Sequence, residues 1–138
     1  MSFVVYIQFF HERKPAGIPR AAVLSSFSEF ISEIGKDQWR LQYDHQTWCE
    51  IVLSTITGAS NSVHHVSIEK PCQDNRLWEA IIHLMQIGNG VFYFPGSSGL
   101  CVLSPSVIIH VPADMLEVLG EPILVKNATD LLRCIETA

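Results

Sequence analysis

Residues 39–70 read WRLQYDHQTWCEIVLSTITGASNSVHHVSIEK and contain three strand-like segments in succession. The first segment, Trp39–Asp44, alternates apolar and polar residues with the period of two that is typical of a half-buried strand. A short turn at Asp44–Gln46 joins it to the apolar run Thr47–Ile56, and this arrangement predicts a β-hairpin. After a polar loop, Ser62–Lys70 predicts a third strand. Three consecutive strands favour an antiparallel meander at the centre of the fold.

The same period of two predicts which side chains face the core. The first strand is expected to bury three residues: Trp39, Leu41 and Tyr43. In the third strand, His64 is expected on the core face and His65 on the surface. Because neighbouring strand residues point to opposite faces, these two histidines cannot readily share one metal ion. The chain contains neither Cys-x-x-Cys nor His-x-x-x-His, so no metal site is predicted.

Helices and further strands are predicted on both sides of this stretch. The apolar run Ser2–Phe10 predicts a central strand covered on both faces. An amphipathic pattern over 19–34 predicts a helix that stops at Gly35, and residues 75–86 predict a second helix with Asp74 or Asn75 as its N-cap. The remaining predicted elements are strands at Val91–Phe94, Leu100–Val111 and Pro122–Val125, a helical turn at Asp114–Leu119, and a closing helix after Asn127.

The predicted order, β-α-β-β-β-α-β-β-α-β-α, indicates an α+β fold with a mixed, largely antiparallel sheet and helices packed mainly on one face. A length of 138 residues without a repeat or a linker predicts a single domain over residues 1–138. The hydrophobic fraction of 48% excludes a disordered chain. No apolar run approaches the ~20 residues of a membrane span, and no basic region precedes the first apolar run as it does in a signal peptide. We therefore expect a cytoplasmic protein with four reduced, partly buried cysteines, while a disulfide stays open.

The net charge of −5 is unevenly distributed along the chain. Lys and Arg are absent from Leu77 to Val125 and again from Leu41 to Glu69, whereas both stretches contain carboxylates. If the fold gathers these carboxylates on one side, the resulting negative face would attract a basic protein and repel nucleic acid. The alternative is that they are scattered charges that keep the surface soluble.

Motifs for catalysis or cofactor binding are weak. Glu79 and His83 have the i, i+4 spacing of an acid and a base, and the same spacing is typical of a solvated surface pair. The Gly96–Gly99 loop is followed by an apolar strand and carries no Lys, so it matches a hairpin turn better than a phosphate-binding loop. We predict no catalytic, cofactor-binding or metal-binding residue, and whether the chain is an enzyme stays open.

The C-terminal part resembles a known class of proteins. Its residues are Val91–Gly96, a strand ending in Phe-Pro-Gly, followed by Pro112–Leu116 and by Leu119–Val125, where Gly-Glu-Pro precedes a short apolar strand. This pattern is similar to that of bacterial immunity proteins, which neutralise polymorphic toxins. The resemblance implies a cytoplasmic inhibitor that blocks the active site or an essential surface of a cognate toxin domain. Many such toxins are nucleases with basic clefts, which an acidic face would complement.

The resemblance and the charge pattern together give a set of expected contact residues. Trp48 joins the carboxylates because a partly exposed aromatic side chain is a common interface anchor. The expected partner-binding residues are Asp44, Trp48, Glu50, Glu79, Asp114, Glu117 and Glu121.

Two other functions are consistent with the sequence. One is a small ligand-binding or catalytic domain whose pocket lies between the sheet and the second helix and is lined by Trp78, His64 and Tyr93. The other is a structural subunit that forms oligomers through an open sheet edge.

Overall fold

The computed structural model describes residues 3–56, 59–97 and 99–136. Within these ranges the chain forms ten strands: β1 (Val4–His11), β2 (Lys14–Pro15), β3 (Ile18–Pro19), β4 (Ile31–Ile34), β5 (Gln38–Gln42), β6 (Trp48–Ile56), β7 (Ala59–Glu69), β8 (Gly90–Tyr93), β9 (Cys101–Val102) and β10 (Ile123–Leu124). It also forms five α-helices: α1 (Arg20–Phe27), α2 (Asn75–Ile87), α3 (Pro105–Ile108), α4 (Ala113–Leu119) and α5 (Ala128–Glu136). A single 3₁₀ turn, Ser28–Phe30, follows α1.

One sheet runs through the molecule in the order β10-β9-β8-β1-β7-β6-β5-β4, with β2 and β3 paired at its side. The β5–β6 and β6–β7 pairs are antiparallel, as the meander predicts, and β1 lies between β7 and β8. The β9–β10 pair is parallel. The fold is therefore α+β with a mixed, largely antiparallel sheet, as predicted.

Helices α1, α2 and α5 pack on one face of the sheet. Their apolar residues meet the odd-numbered side chains of β1, which include the fully buried Val5 and Ile7. Of the three helices, α2 contributes most to this core, and its Leu77, Ile81 and Leu84 are completely buried. Asp74, one of the two predicted N-cap residues, caps the helix, and Gly88 ends it as predicted.

Helices α3 and α4 lie on the other face and cover only one end of it. They enclose a second apolar cluster that includes Phe10, Val91 and Val102, from β1, β8 and β9. The prediction that β1 is covered on both faces is therefore wrong for most of the strand, since Val4, Tyr6 and Gln8 are only half-buried. Ser2, the first residue of that predicted strand, lies outside the described residues.

The helix predicted over 19–34 ends at Phe27. Ile31–Ile34 instead forms the edge strand β4, which pairs with β5 through Ile34 opposite Trp39. The turn that joins them is closed by the Gly35 N–H, which donates to the Gln38 carbonyl at 2.8 Å. Pairing with a neighbouring strand has overridden a helical pattern that rests partly on β-branched residues.

The strand predicted over Leu100–Val111 is also wrong beyond Val102. Ser104 caps a new helix by accepting a hydrogen bond from the Ser106 N–H, and Pro105 occupies the first turn. Proline suits that position because its fixed φ matches the helix and no N–H is needed there.

A β-bulge in β7 overturns the predicted direction of His64. The partner of Ser54 is His65 and the partner of Thr55 is Val63, so His64 is an extra residue in the strand. Because of the bulge, the alternation of core-facing and outward-facing residues shifts by one position along β7. Val63 rather than His64 therefore joins Val66 in the core. Two residues of the polar loop predicted before this strand, Thr57 and Gly58, lie outside the described part of the chain.

Candidate functional site

The part of the sheet that α3 and α4 leave uncovered is here called the open sheet face. It consists of the outward-facing residues of β5, β6 and β7 and of the first half of β1, together with one residue of β8. They are Gln38, Arg40, Gln42, Trp48, Glu50, Val52, Ser54, His65, Ser67, Glu69, Val4, Tyr6, Gln8 and Tyr93. All of them are half-buried or exposed.

A row of charged side chains crosses four adjacent strands. Glu33 lies opposite Arg40, Arg40 opposite Glu50, and Glu50 opposite Glu69. Arg40 forms an ion pair with Glu33 at 3.9 Å, and the Gln38 amide donates to a carboxylate oxygen of Glu50. Like charges directly opposite each other destabilise a sheet. With three carboxylates and one guanidinium, the row has a net negative charge, and its two adjacent carboxylates are those of Glu50 and Glu69.

Trp48 stands beside this row with 44% of its surface exposed. The Arg40 guanidinium lies 3.8 Å from the centre of the indole ring, a cation–π contact. The contact holds the ring in place, and the Arg40 Nε–H is buried there without a hydrogen-bond partner in the described chain. The result is a fixed, solvent-facing aromatic surface next to a carboxylate pair.

The middle of the open sheet face carries aromatic rings. Tyr6 on β1 lies 5.3 Å from the ring of His65 and 5.2 Å from that of Tyr93. The Tyr93 hydroxyl donates to the side-chain oxygen of Gln8 at 3.1 Å. Burial lowers the pKa of His65, and the neighbouring His64 lowers it further; both effects favour the neutral imidazole. This surface is amphipathic rather than charged.

Two shallow grooves border the charged row and share Glu69 and Lys70. One, of about 390 Å³, runs along Phe3 and Tyr6, and the other, of about 200 Å³, runs past Trp48. Both are open to solvent, which suits side chains of a partner protein better than an enclosed small molecule.

Of the seven expected contact residues, the structure brings only Trp48 and Glu50 together on the open sheet face. Asp44 lies at the adjoining β5–β6 turn. Its carboxylate accepts hydrogen bonds from the Gln46 and Thr47 N–H groups, and these lower its pKa. Asp44 therefore shapes the hairpin and borders the site.

The other four expected residues lie elsewhere. Glu79 is exposed on α2, which packs against the opposite face of the sheet. Asp114 and Glu117 are exposed on α4, and Glu121 follows that helix. Glu79 is thus separated from Glu50 by the sheet itself, so the expected carboxylates do not form one continuous face.

The Glu79–His83 spacing does not create an acid/base site. His83 instead contacts the Ser26 hydroxyl through Nδ1 at 3.1 Å. That hydroxyl also donates to the Ala22 carbonyl at 3.0 Å, within its own helix. Because the Ser26 proton is already donated to the backbone, the hydroxyl is not arranged as a nucleophile activated by the imidazole.

The pocket that would be lined by Trp78, His64 and Tyr93 does not form. Trp78 is buried on the helical side and packs edge-on against Phe92. Tyr93 follows Phe92 on β8. It points to the open sheet face, because successive residues of a strand face opposite sides of the sheet.

No group of three or more His, Cys, Asp or Glu side chains within the described ranges could hold a metal ion. The glycine loop forms a turn in which the Ser97 N–H donates to the Phe94 carbonyl at 3.0 Å, and its Ser98 lies outside the described residues. Gly96 has a φ of 87°, which favours glycine there.

Glu69, Arg40 and Glu33 belong to the charged row but are not among the contact residues expected from the sequence. The alternation of β6 and β7 places Glu50 and Glu69 on solvent-facing positions, and that signal is visible in the sequence. Their direct opposition requires the register of the β6–β7 pair, which the His64 bulge alters. Glu33 falls in the segment predicted as helix.

Comparisons with known proteins found no match: no protein-family model fits the chain, and no curated protein or solved structure matches it. None of the helices in the described ranges combines the length and the apolar character needed to cross a membrane.

Proposed function

We propose that the chain is an immunity protein that binds and neutralises a cognate bacterial toxin domain through its open sheet face. The observation that carries the proposal is the exposed Trp48 beside the directly opposed Glu50 and Glu69. In this proposal the protein acts in the cytoplasm of the toxin-producing cell, and it blocks the active site or an essential surface of the toxin.

Trp48 supports a protein-binding function because exposed tryptophans are common anchors of interfaces. Such anchors are most effective when they are held in one orientation before binding. Arg40 provides that fixation through its contact with the ring. The polar and aromatic side chains around Trp48 match the mixed composition of non-obligate interfaces.

The Glu50–Glu69 pair supports a basic partner. Arg40 lies opposite Glu50 and Lys70 follows Glu69, but the two carboxylates still face each other across the strand pair. A Lys or Arg of the toxin placed between them would relieve the cost of that opposition. A nuclease cleft that binds phosphate offers such residues. The net charge of −5 would also speed the approach of a basic domain and oppose the binding of nucleic acid.

The proposal expects a gene beside the one for this chain to encode a large secreted protein with a variable C-terminal toxin domain. The test produces that domain in a bacterial host that lacks it. We expect that domain to arrest growth and co-production of this chain to restore growth. The Glu50→Arg/Glu69→Arg double variant should lose the rescue. Glu79→Arg, a single charge reversal on the opposite side of the sheet, is the control and should retain it. Failure of the wild-type chain to rescue would contradict the function, and equal loss with Glu79→Arg would contradict the site.

A second candidate function, binding of a small amphipathic ligand, is favoured by a different cavity. It measures about 530 Å³, lies between the start of α2 and the end of α5, and is lined partly by Phe3, Trp78 and Leu132. Native mass spectrometry of the protein purified from its source would detect a ligand bound there. A single reproducible added mass that is lost in Leu132→Trp would favour this function over toxin binding.

A further inference from the structure

His65 is the histidine of the open sheet face. It lies on β7 between Gln8 of β1 and Ser54 of β6, which are its partners in the two strand pairs. Its ring packs against that of Tyr6, with 5.3 Å between the ring centres, and lies 6.4 Å from the ring of His64. The side chain is half-buried. A partner that covers the open sheet face therefore covers this imidazole as well.

The side chains that pair or pack with His65 from the neighbouring strands are uncharged. Ser54, Gln8 and Tyr6 carry no ionised group at neutral pH, and Tyr6 packs in turn against Tyr93. Burial raises the pKa of Tyr93, which keeps its hydroxyl protonated. On β7 itself, His64 is the neighbour that can take up a proton, and a positive charge there opposes a second one on His65.

The carboxylates of the open sheet face give little support to a protonated His65. Glu69 is four residues further along β7, which is about 13 Å at the usual rise of a strand. Glu50 lies opposite Glu69, so it belongs to the same distant row. That separation exceeds the screening length of about 8 Å at physiological ionic strength. Burial, together with a smaller effect of His64, accordingly lowers the pKa of His65.

We propose that His65 makes binding at the open sheet face sensitive to acid, so that the neutral imidazole permits binding of a basic partner and the imidazolium opposes it. This inference rests on the proposed function and adds a means of regulation to the same surface. A partner over the face would remove the remaining water from the ring and bring cationic side chains close to it. Both changes disfavour the imidazolium. Dissociation in acid is therefore accompanied by the uptake of one proton by a ring nitrogen of His65.

The direction of the pH effect follows from the linkage of proton binding to partner binding. Because the bound state disfavours the proton on His65, the affinity is greatest where the free protein already holds the neutral ring. The affinity should fall as the pH drops through the range in which the free ring takes up its proton. That range should lie below the value of about 6.5 that is usual for an unperturbed histidine.

The first measurement needs no partner. A titration of the free wild-type protein, followed by NMR of the assigned imidazole signals, gives the midpoint of His65 among the six histidines of the chain. We expect this midpoint to lie below about pH 6.5. A midpoint at or above that value would overturn the proposal, because the ring would then gain no preference for the neutral state from its surroundings.

The second measurement compares affinities at pH 7.5 and pH 5.0 by calorimetric titration, using the toxin domain that this chain neutralises in the growth test. The wild-type affinity should fall about three- to tenfold between these pH values. His65→Gln cannot take up the proton, so it should bind normally at pH 7.5 and lose most of the weakening at pH 5.0. His83→Gln, on α2 behind the sheet, is the matched control and should weaken as the wild type does.

The outcomes separate this inference from the proposed function. If the wild type does not bind the toxin domain at pH 7.5, the proposed function fails and this inference falls with it. If binding is tight at pH 7.5 but the wild type does not weaken in acid, the acid sensitivity alone is contradicted. Equal weakening of the wild type and of His65→Gln, with circular dichroism showing the variant folded, would contradict it as well.

Discussion

At the scale of single residues, Trp48 and Glu69 have the placements on which the proposed binding site rests. An indole with 44% of its surface exposed and a carboxylate opposite another carboxylate each carry a cost in the isolated protein. Both costs would be relieved by one event, contact with a basic partner at the open sheet face.

The exposure of Trp48 predicts that Trp48→Ala affects binding much more than folding. Its free energy of unfolding should fall by less than about 1 kcal/mol, because little buried surface is lost. If the chain binds a toxin through this face as proposed, the affinity for that toxin should fall by about 2 kcal/mol or more, as for an interface anchor. Urea denaturation and calorimetric titration measure the two quantities. Trp39→Ala is the contrasting control, since removal of that buried ring should cost about 3–5 kcal/mol of stability.

The repulsion between Glu50 and Glu69 predicts that Glu69→Gln stabilises the free protein by about 0.5 kcal/mol at neutral pH and low salt. The gain should shrink in high salt, which screens the two charges. Denaturation curves at two ionic strengths would show this. The control Glu79→Gln should give no such gain, and a Glu69→Gln protein less stable than the wild type would contradict the assigned repulsion.

Only part of this site could be predicted from the sequence at the residue scale. Trp48 and Glu50 follow from strand alternation, which is a local property. Glu69 belongs to the site because of strand register. That register depends on a bulge that cannot be predicted from the local sequence pattern. Glu79 and Glu50 each fall in a stretch without Lys or Arg, but the sheet separates them, and a linear charge pattern carries no information about that.

At the scale of elements, capping and turn chemistry gave the most reliable predictions. The Asp74 cap, the end of α2 at Gly88 and the β5–β6 hairpin all follow from short-range hydrogen bonding and backbone preference. The errors occurred where a partner distant in sequence decides the outcome. Ile31–Ile34 becomes a strand because β5 is available to pair with it.

The cap of α2 gives a pH-dependent prediction. The Arg76 side chain lowers the pKa of Asp74 by hydrogen bonding to the carboxylate, and the Arg76 N–H adds to this effect. Because the pKa is lower in the folded state, the stabilisation is present above the unfolded pKa of about 4 and is lost as the pH falls through the folded value.

Asp74→Ala should therefore lower the free energy of unfolding by about 1 kcal/mol at pH 7. The difference from the wild type should narrow as the pH falls from 5 towards 2. Asp74→Asn retains a capping oxygen without the charge, so it should keep more stability at pH 7 and respond less to acid. Chemical denaturation across this pH range measures both effects, and a difference that widens in acid would contradict the assignment.

At the scale of the whole molecule, the helices divide the sheet into a covered and an uncovered part. α1, α2 and α5 bury one face, whereas α3 and α4 close only the end that contains Phe10 and Val91. The edge strand β4 is short and contains a register shift next to Glu33, and both features discourage pairing with another chain. The uncovered face is thus a better binding surface than the β4 edge is.

The most direct test of the open sheet face is the rate at which the purified protein associates with the cognate toxin domain, measured by stopped flow at several ionic strengths. Glu50→Arg/Glu69→Arg should slow association about tenfold or more at low salt, with a difference that fades as salt rises. Glu79→Arg should associate nearly as fast as the wild type. Equal slowing by both variants, or no slowing by the double variant, would contradict binding through this face.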